Sequence, residues 1–181
     1  MKQNSKGFTV IEMLAVLAIM GVLLAMSLAA YQDSRGQLAL QRSANEVAQS
    51  IRRASEMAMS AKEIGGMIPT GGYGIYFDKN ADPQQIIIFA DCNGTPRQYD
   101  PSGTPCGGLP EKVEGINLEK NIKILNLSSS PLNIVFQAPS PKVYINGSLP
   151  AGPATITIFY GTDSTKIKTI KVNQVGLIDV Y

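Results

Sequence analysis

The chain has 181 residues, enough for one modest domain plus a tail. Charged residues make up 17% and mean hydropathy is +0.04, which excludes a disordered chain and a polytopic membrane protein alike. The net charge of +2 belongs to Lys2 and Lys6: residues 8–181 hold 14 basic and 14 acidic side chains, so no basic excess draws the bulk of the chain onto nucleic acid, and the lack of histidine removes imidazole chemistry.

The leader MKQNSKG is basic, and no acid precedes Glu12. Residues 7–30, GFTVIEMLAVLAIMGVLLAMSLAA, then form an apolar run with a single carboxylate near its start. From Met13 to Ala30 no residue is charged, a length that approaches a membrane span. An ionised group in such a run costs about 2.5–3.5 kcal/mol at the bilayer centre and less at the interface. Keeping Glu12 there points to a use for it. Positive flanks stay in the cytoplasm, so the N-terminus is expected inside and the remainder exported.

Helical periodicity continues beyond the apolar run. Leu40, Ala44, Val47, Ile51, Ala54, Ala58 and Ala61 recur at alternating spacings of four and three, one narrow face of a helix. Arg42, Glu46, Arg52, Arg53, Glu56 and Lys62 fall on other faces. No proline interrupts residues 8–68, and Gly36 is the one weak point. A helix from Phe8 to about Lys62 would measure roughly 80 Å. Residues 65–72, GGMIPTGG, end it.

Strand signals follow. GIYF, QIIIF, NIKIL, NIVF, KVYI, ATITIFY, KIKTIKV and GLIDVY are short and rich in Ile, Val, Thr and aromatics. Asp78-Lys79-Asn80, Ser130-Pro131, Asn146-Gly147, Gly161-Thr162-Asp163 and Asn173-Gln174 supply turns between them. The stretch from Cys92 to Glu119 is aperiodic and rich in Gly and Pro, and reads as a long surface loop. Its two cysteines, Cys92 and Cys106, invite a disulfide if the segment is exported, worth roughly 3 kcal/mol on the chain-entropy account. The alternative is a pair of free thiols.

The fold class expected is α+β: a long N-terminal helix, membrane-spanning in its first half, packed on an antiparallel sheet or sandwich head. The divisions are residues 1–7 as leader, 8–62 as helix, 63–73 as Gly/Pro linker and 74–181 as head.

Chemistry-bearing patterns are few. Asp78-Lys79-Asn80-Ala81-Asp82 imitates the start of a calcium loop, but Pro83 and Phe89 stand where glycine and glutamate are needed, and turn formation explains it better. Asp91, Asn93 and Asp100 are the other candidates for lining a loop cation site. Lys166, Lys168 and Lys171 make a small basic strand that could touch DNA, or could simply protect a sheet edge. No nucleophile–base pair, phosphate loop or metal-ligand spacing stands out. No enzyme activity, cofactor or metal is expected.

Lys6-Gly7-Phe8-Thr9-Val10-Ile11-Glu12, followed by the apolar run, resembles the processing motif of type IV pilins and type II secretion pseudopilins. Gly21 and Tyr31 stand where that family often carries glycine and tyrosine, whereas Ala29 replaces a frequent proline. The C-terminal part is similar to the β heads of minor pilins and pseudopilins. The resemblance implies a prepilin peptidase cutting between Gly7 and Phe8, N-methylation of Phe8, and Glu12 pairing with the freed amine of a sister subunit to set register. It implies residence in the inner membrane, single-pass with the head exported, then entry into a pilus or pseudopilus. Rival expectations are a DNA-binding minor pilin of an uptake system, a signal-anchored domain that does not polymerise, and a secretory signal peptide cut after Ala29.

Overall fold

The computed structural model describes residues 7, 9–81, 84–93, 97–139, 142–161 and 163–181. Among the described residues one helix, α1 (Val10–Met59), precedes nine strands: β1 (Gly72–Phe77), β2 (Gln85–Asp91), β3 (Lys112–Asn117), β4 (Ile122–Leu127), β5 (Leu132–Gln137), β6 (Lys142–Ile145), β7 (Ala154–Tyr160), β8 (Asp163–Val172) and β9 (Ile178–Val180). The chain divides into two compact units, residues 1–37 and 38–181, with the division inside α1. The fold is α+β, with antiparallel sheets.

In the first unit the part of α1 from Met13 to Leu28 carries no charge. Val10–Leu28 has a mean hydropathy of 2.4 and is long and apolar enough to cross a membrane, and none of it is buried within the chain. A helix of this composition suits hydrocarbon because every backbone group is satisfied within it. Ser27 follows the same rule, its hydroxyl donating to the Leu23 carbonyl at 2.9 Å.

In the second unit α1 buries one stripe. Leu40, Ala44, Val47, Ile51, Ala54 and Ala58 all lie in the core, joined by Ala48 and Met57. Ala61, the last residue of the expected stripe, is exposed because the helix has already closed. The Lys62 N–H reaches back to the Met57 carbonyl at 3.1 Å, and Ala61 adopts φ 46°. This is the closing turn in which glycine is normally found.

Two antiparallel sheets complete the unit, ordered β3-β2-β1-β5-β6 and β4-β7-β8-β9. Alternate residues of each strand enter the core that covers the helix stripe, among them Ile75, Ile88 and Ile134 from the larger sheet and Ile124, Ile156 and Ile170 from the smaller. The central strands of the larger sheet are buried on their other face as well. There Phe89 and Val135 flank Gly74, where an added Cβ would stand 2.6 Å from the Phe89 ring. Glycine is what lets the far end of that ring press against β1.

The long loop expected from Cys92 to Glu119 is corrected on two counts. First, residues 112–117 form β3 and pair with β2, Ile86 opposite Ile116 and Ile87 opposite Gly115. The segment reads KVEGIN, with two charges and a mid-strand glycine, so its own β propensity is weak and the pairing comes from β2. Second, the stretch before β3 lies against the larger sheet. Cys92 and Cys106 are joined in a disulfide with their Cα atoms 5.2 Å apart. Tyr99 sits with its ring centroid 5.1 Å from Tyr76 and 5.5 Å from Phe89, and the Arg97 guanidinium lies 3.7 Å above the Tyr144 ring.

Candidate functional site

The residues singled out for processing and assembly gather at the start of α1. Lys2, Lys6 and Phe8 lie outside the described residues. Gly7 is exposed, and a Cβ added to it would meet nothing within 4 Å. None of the described residues therefore requires glycine at this position.

Thr9 and Glu12 close the helix start reciprocally. One Glu12 carboxylate oxygen accepts from the Thr9 backbone N–H and from the Thr9 hydroxyl, both at 2.8 Å. The Glu12 N–H in turn points at the Thr9 hydroxyl oxygen at 3.4 Å. Thr9 is the N-cap and Glu12 the third helical residue, the arrangement known as a capping box. It satisfies orphan donors of the first turn and sets a negative charge at the positive end of the helix dipole. Sequence reasoning singled out Glu12 and passed over Thr9. The signal was present, since threonine followed three residues later by glutamate just before an apolar run is the capping-box pattern.

From Met13 to Met26 the helix offers only apolar side chains and Gly21. Val10, Leu14, Leu17, Leu24 and Leu28 are more than half exposed, and Val10 reaches 78%. Exposed apolar surface this continuous has no counterpart on ordinary soluble monomers and demands a non-aqueous surrounding or other helices.

The lysines expected to form one basic strand do not share a face. Lys166 and Lys168 project on the side of β8 that carries buried Ile170, whereas Lys171 projects on the opposite side, with its ammonium 5.0 Å from the Tyr181 ring. An odd separation between 168 and 171 dictates this, because side chains alternate along a strand.

The acidic residues of the 91–111 segment serve its internal structure. Glu111 is buried, and its two carboxylate oxygens accept from the Cys92 N–H at 3.3 Å and the Asp100 N–H at 2.9 Å. Burial pushes the Glu111 carboxyl above the usual carboxylate range, opposed by those two hydrogen bonds. Asp100 accepts from the Ser102 N–H and hydroxyl, which hold its carboxyl below the usual range. Asp91 is buried against Gly71, and Asn93 is exposed. Among the described residues, no three Cys, Asp or Glu side chains gather closely enough to hold one metal ion.

Residues 2–28 match the family model described as the prokaryotic N-terminal methylation motif. The chain thus carries the prepilin-type signature that marks type IV pilin- and pseudopilin-like proteins. No curated protein and no solved structure matches the chain.

Proposed function

We propose that this chain is a prepilin-type structural subunit, cut between Gly7 and Phe8, methylated on the Phe8 amine and assembled through α1 into a type IV pilus or a type II secretion pseudopilus. The single observation that carries the reading is the methylation motif over residues 2–28. Its partners are then a prepilin peptidase, the inner membrane and sister subunits. Lys2 and Lys6 hold the N-terminus on the cytoplasmic side.

The chemistry of the first turn fits this use. In the precursor the Glu12 carboxylate is already occupied by Thr9. Cleavage would create a new ammonium at Phe8, next to Thr9 in sequence. A carboxylate taken out of water is tolerable when it gains a cationic partner, and removing one member of such a pair typically costs 3–5 kcal/mol. The helix surface from Val10 to Leu28 packs by shape alone and slides readily, so one polar pair per subunit would fix its register.

Two substitutions test the reading. Gly7→Trp should leave an uncut precursor, retaining residues 1–7 by intact-mass measurement. Glu12→Ala should be cut normally yet be depleted from filaments. Normal maturation of the first variant, or ordinary filament incorporation of the second, would overturn the corresponding role.

A further inference from the structure

A span that ends at Leu28 leaves the next turns of α1 among lipid headgroups. Val10–Leu28 rises about 28 Å, close to the roughly 30 Å of a bilayer's hydrocarbon core. The headgroup layer on each side is then about 5–8 Å deep. The Tyr31 Cα stands about 4–5 Å beyond Leu28, inside that layer. The Arg35 Cα stands about 10 Å beyond, above it.

The Arg35 side chain closes the difference. Its guanidinium lies over the Tyr31 ring, 4.5 Å from the centroid and one helical turn nearer the span. Long side chains on a helix lean toward its N-terminus, so Arg35 covers the residue four positions before it. The charge is thereby carried down to the level of the ring. Both side chains are exposed, Tyr31 at 55%. One face of the guanidinium is taken by the ring, and its N–H groups point outward from the edge. Among the described residues none of them meets an acceptor, whereas Arg42 and Arg53 farther along α1 are matched by Glu119 and Glu114. A cation this close to a span on its exported side also runs against the bias that Lys2 and Lys6 follow on the other.

We infer that Tyr31 and Arg35 form a clamp for the phosphate of a phospholipid headgroup in the leaflet that faces the head. This rests on the proposed function, which puts α1 in a membrane with the head exported. The ring sits in the headgroup layer, where tyrosine is favoured, and the guanidinium fork donates to phosphate oxygens. Lipid phosphate, rather than phosphate in solution, is the occupant because the end of the span sets the depth at which the fork is held. The clamp in turn fixes how far α1 sinks. A slide of one turn inward would press the guanidinium toward hydrocarbon, and a slide outward would lift the ring into water.

The test uses the full chain in vesicles of phosphatidylcholine and phosphatidylglycerol that include a phospholipid with a photoactivatable headgroup. Labelling mapped by mass spectrometry should concentrate on residues 28–38. Arg35→Gln should lower it there about five-fold, and Arg35→Lys, which keeps the charge, should restore part of it. Arg52→Gln, a charge change deep in the head unit, should leave it unchanged. Equal labelling of this segment in the unsubstituted chain and Arg35→Gln would overturn the inference. So would loss of the labelling when inorganic phosphate is added in excess over the same concentration of chloride salt, which would mark a site for dissolved anions. Cross-linking of a photoreactive residue at position 35 to protein and not to lipid in these vesicles would overturn it as well. Release of the unsubstituted chain from the vesicles by an alkaline wash would strike the proposed function itself, and the clamp with it.

Discussion

The two parts of α1 dispose of their apolar side chains in opposite ways. From Val10 to Leu28 they point in every direction and the chain covers none of them. From Leu40 to Ala58 they form one stripe, which two sheets of the same chain cover completely. Both stretches are helical for the same local reasons, a run without proline and with strong helix formers. What differs is the angular width of the apolar face, and that width states whether the partner lies within the chain or outside it.

Paired charge insertions break the comparison most forcefully. Ile51→Asp places an unpaired carboxylate in the core and should unfold the head, a loss of at least ~4 kcal/mol, read by thermal or denaturant unfolding of the full chain in detergent. Leu17→Asp in the first part should leave head unfolding unchanged and instead impair membrane insertion or assembly. Equal effects of the two on head stability would erase the distinction.

A smaller effect is expected at the disulfide, which belongs to the self-covered unit. Replacing both Cys92 and Cys106 by serine should lower stability by about 3 kcal/mol. It should also loosen Tyr99 from Tyr76 and Phe89, seen as a shift in denaturation midpoint and faster amide exchange at residues 97–111.

The smallest effect sharpens a contrast between two glutamates. Glu12 is exposed and caps a helix, whereas Glu111 is buried and anchors a loop. Because the Glu111 carboxyl sits above its ordinary value of 4.5 in the folded state, the folded state binds that proton more tightly than the unfolded chain. Its contribution is full below about pH 4.5 and is lost as pH rises through the raised value. Glu111→Gln should flatten this part of the stability–pH curve, at the cost of one backbone hydrogen bond. An unchanged slope in denaturation at graded pH would show that Glu111 does not titrate in this way.

Much of the architecture is legible in the amino-acid sequence. The seven-membered stripe named the buried helix face correctly up to Ala58, because burial and the helical repeat obey the same geometry. Eight of the nine strands announced themselves through β-branched and aromatic runs. β3 did not, since Lys112, Glu114 and Gly115 hide its alternation and only pairing with β2 makes it a strand. The segregation of Lys171 from Lys168 follows from simple parity along a strand. Glu111 was beyond reach: one buried carboxylate serving two distant N–H groups leaves no local pattern. Asn133 is similar, its side-chain oxygen accepting from the Tyr99 N–H across 34 positions at 2.9 Å.

The Thr9–Glu12 closure carries a consequence for how the chain could be trimmed. The helix begins at Val10, and the N–H groups of Thr9 and Glu12 at that end are met by side chains downstream of Gly7. A hydrolase acting after Gly7 would not need to unwind a single rung to reach its peptide bond. The shortened product would keep both halves of its own lid, so severing the leader need not fray the rod it leaves behind.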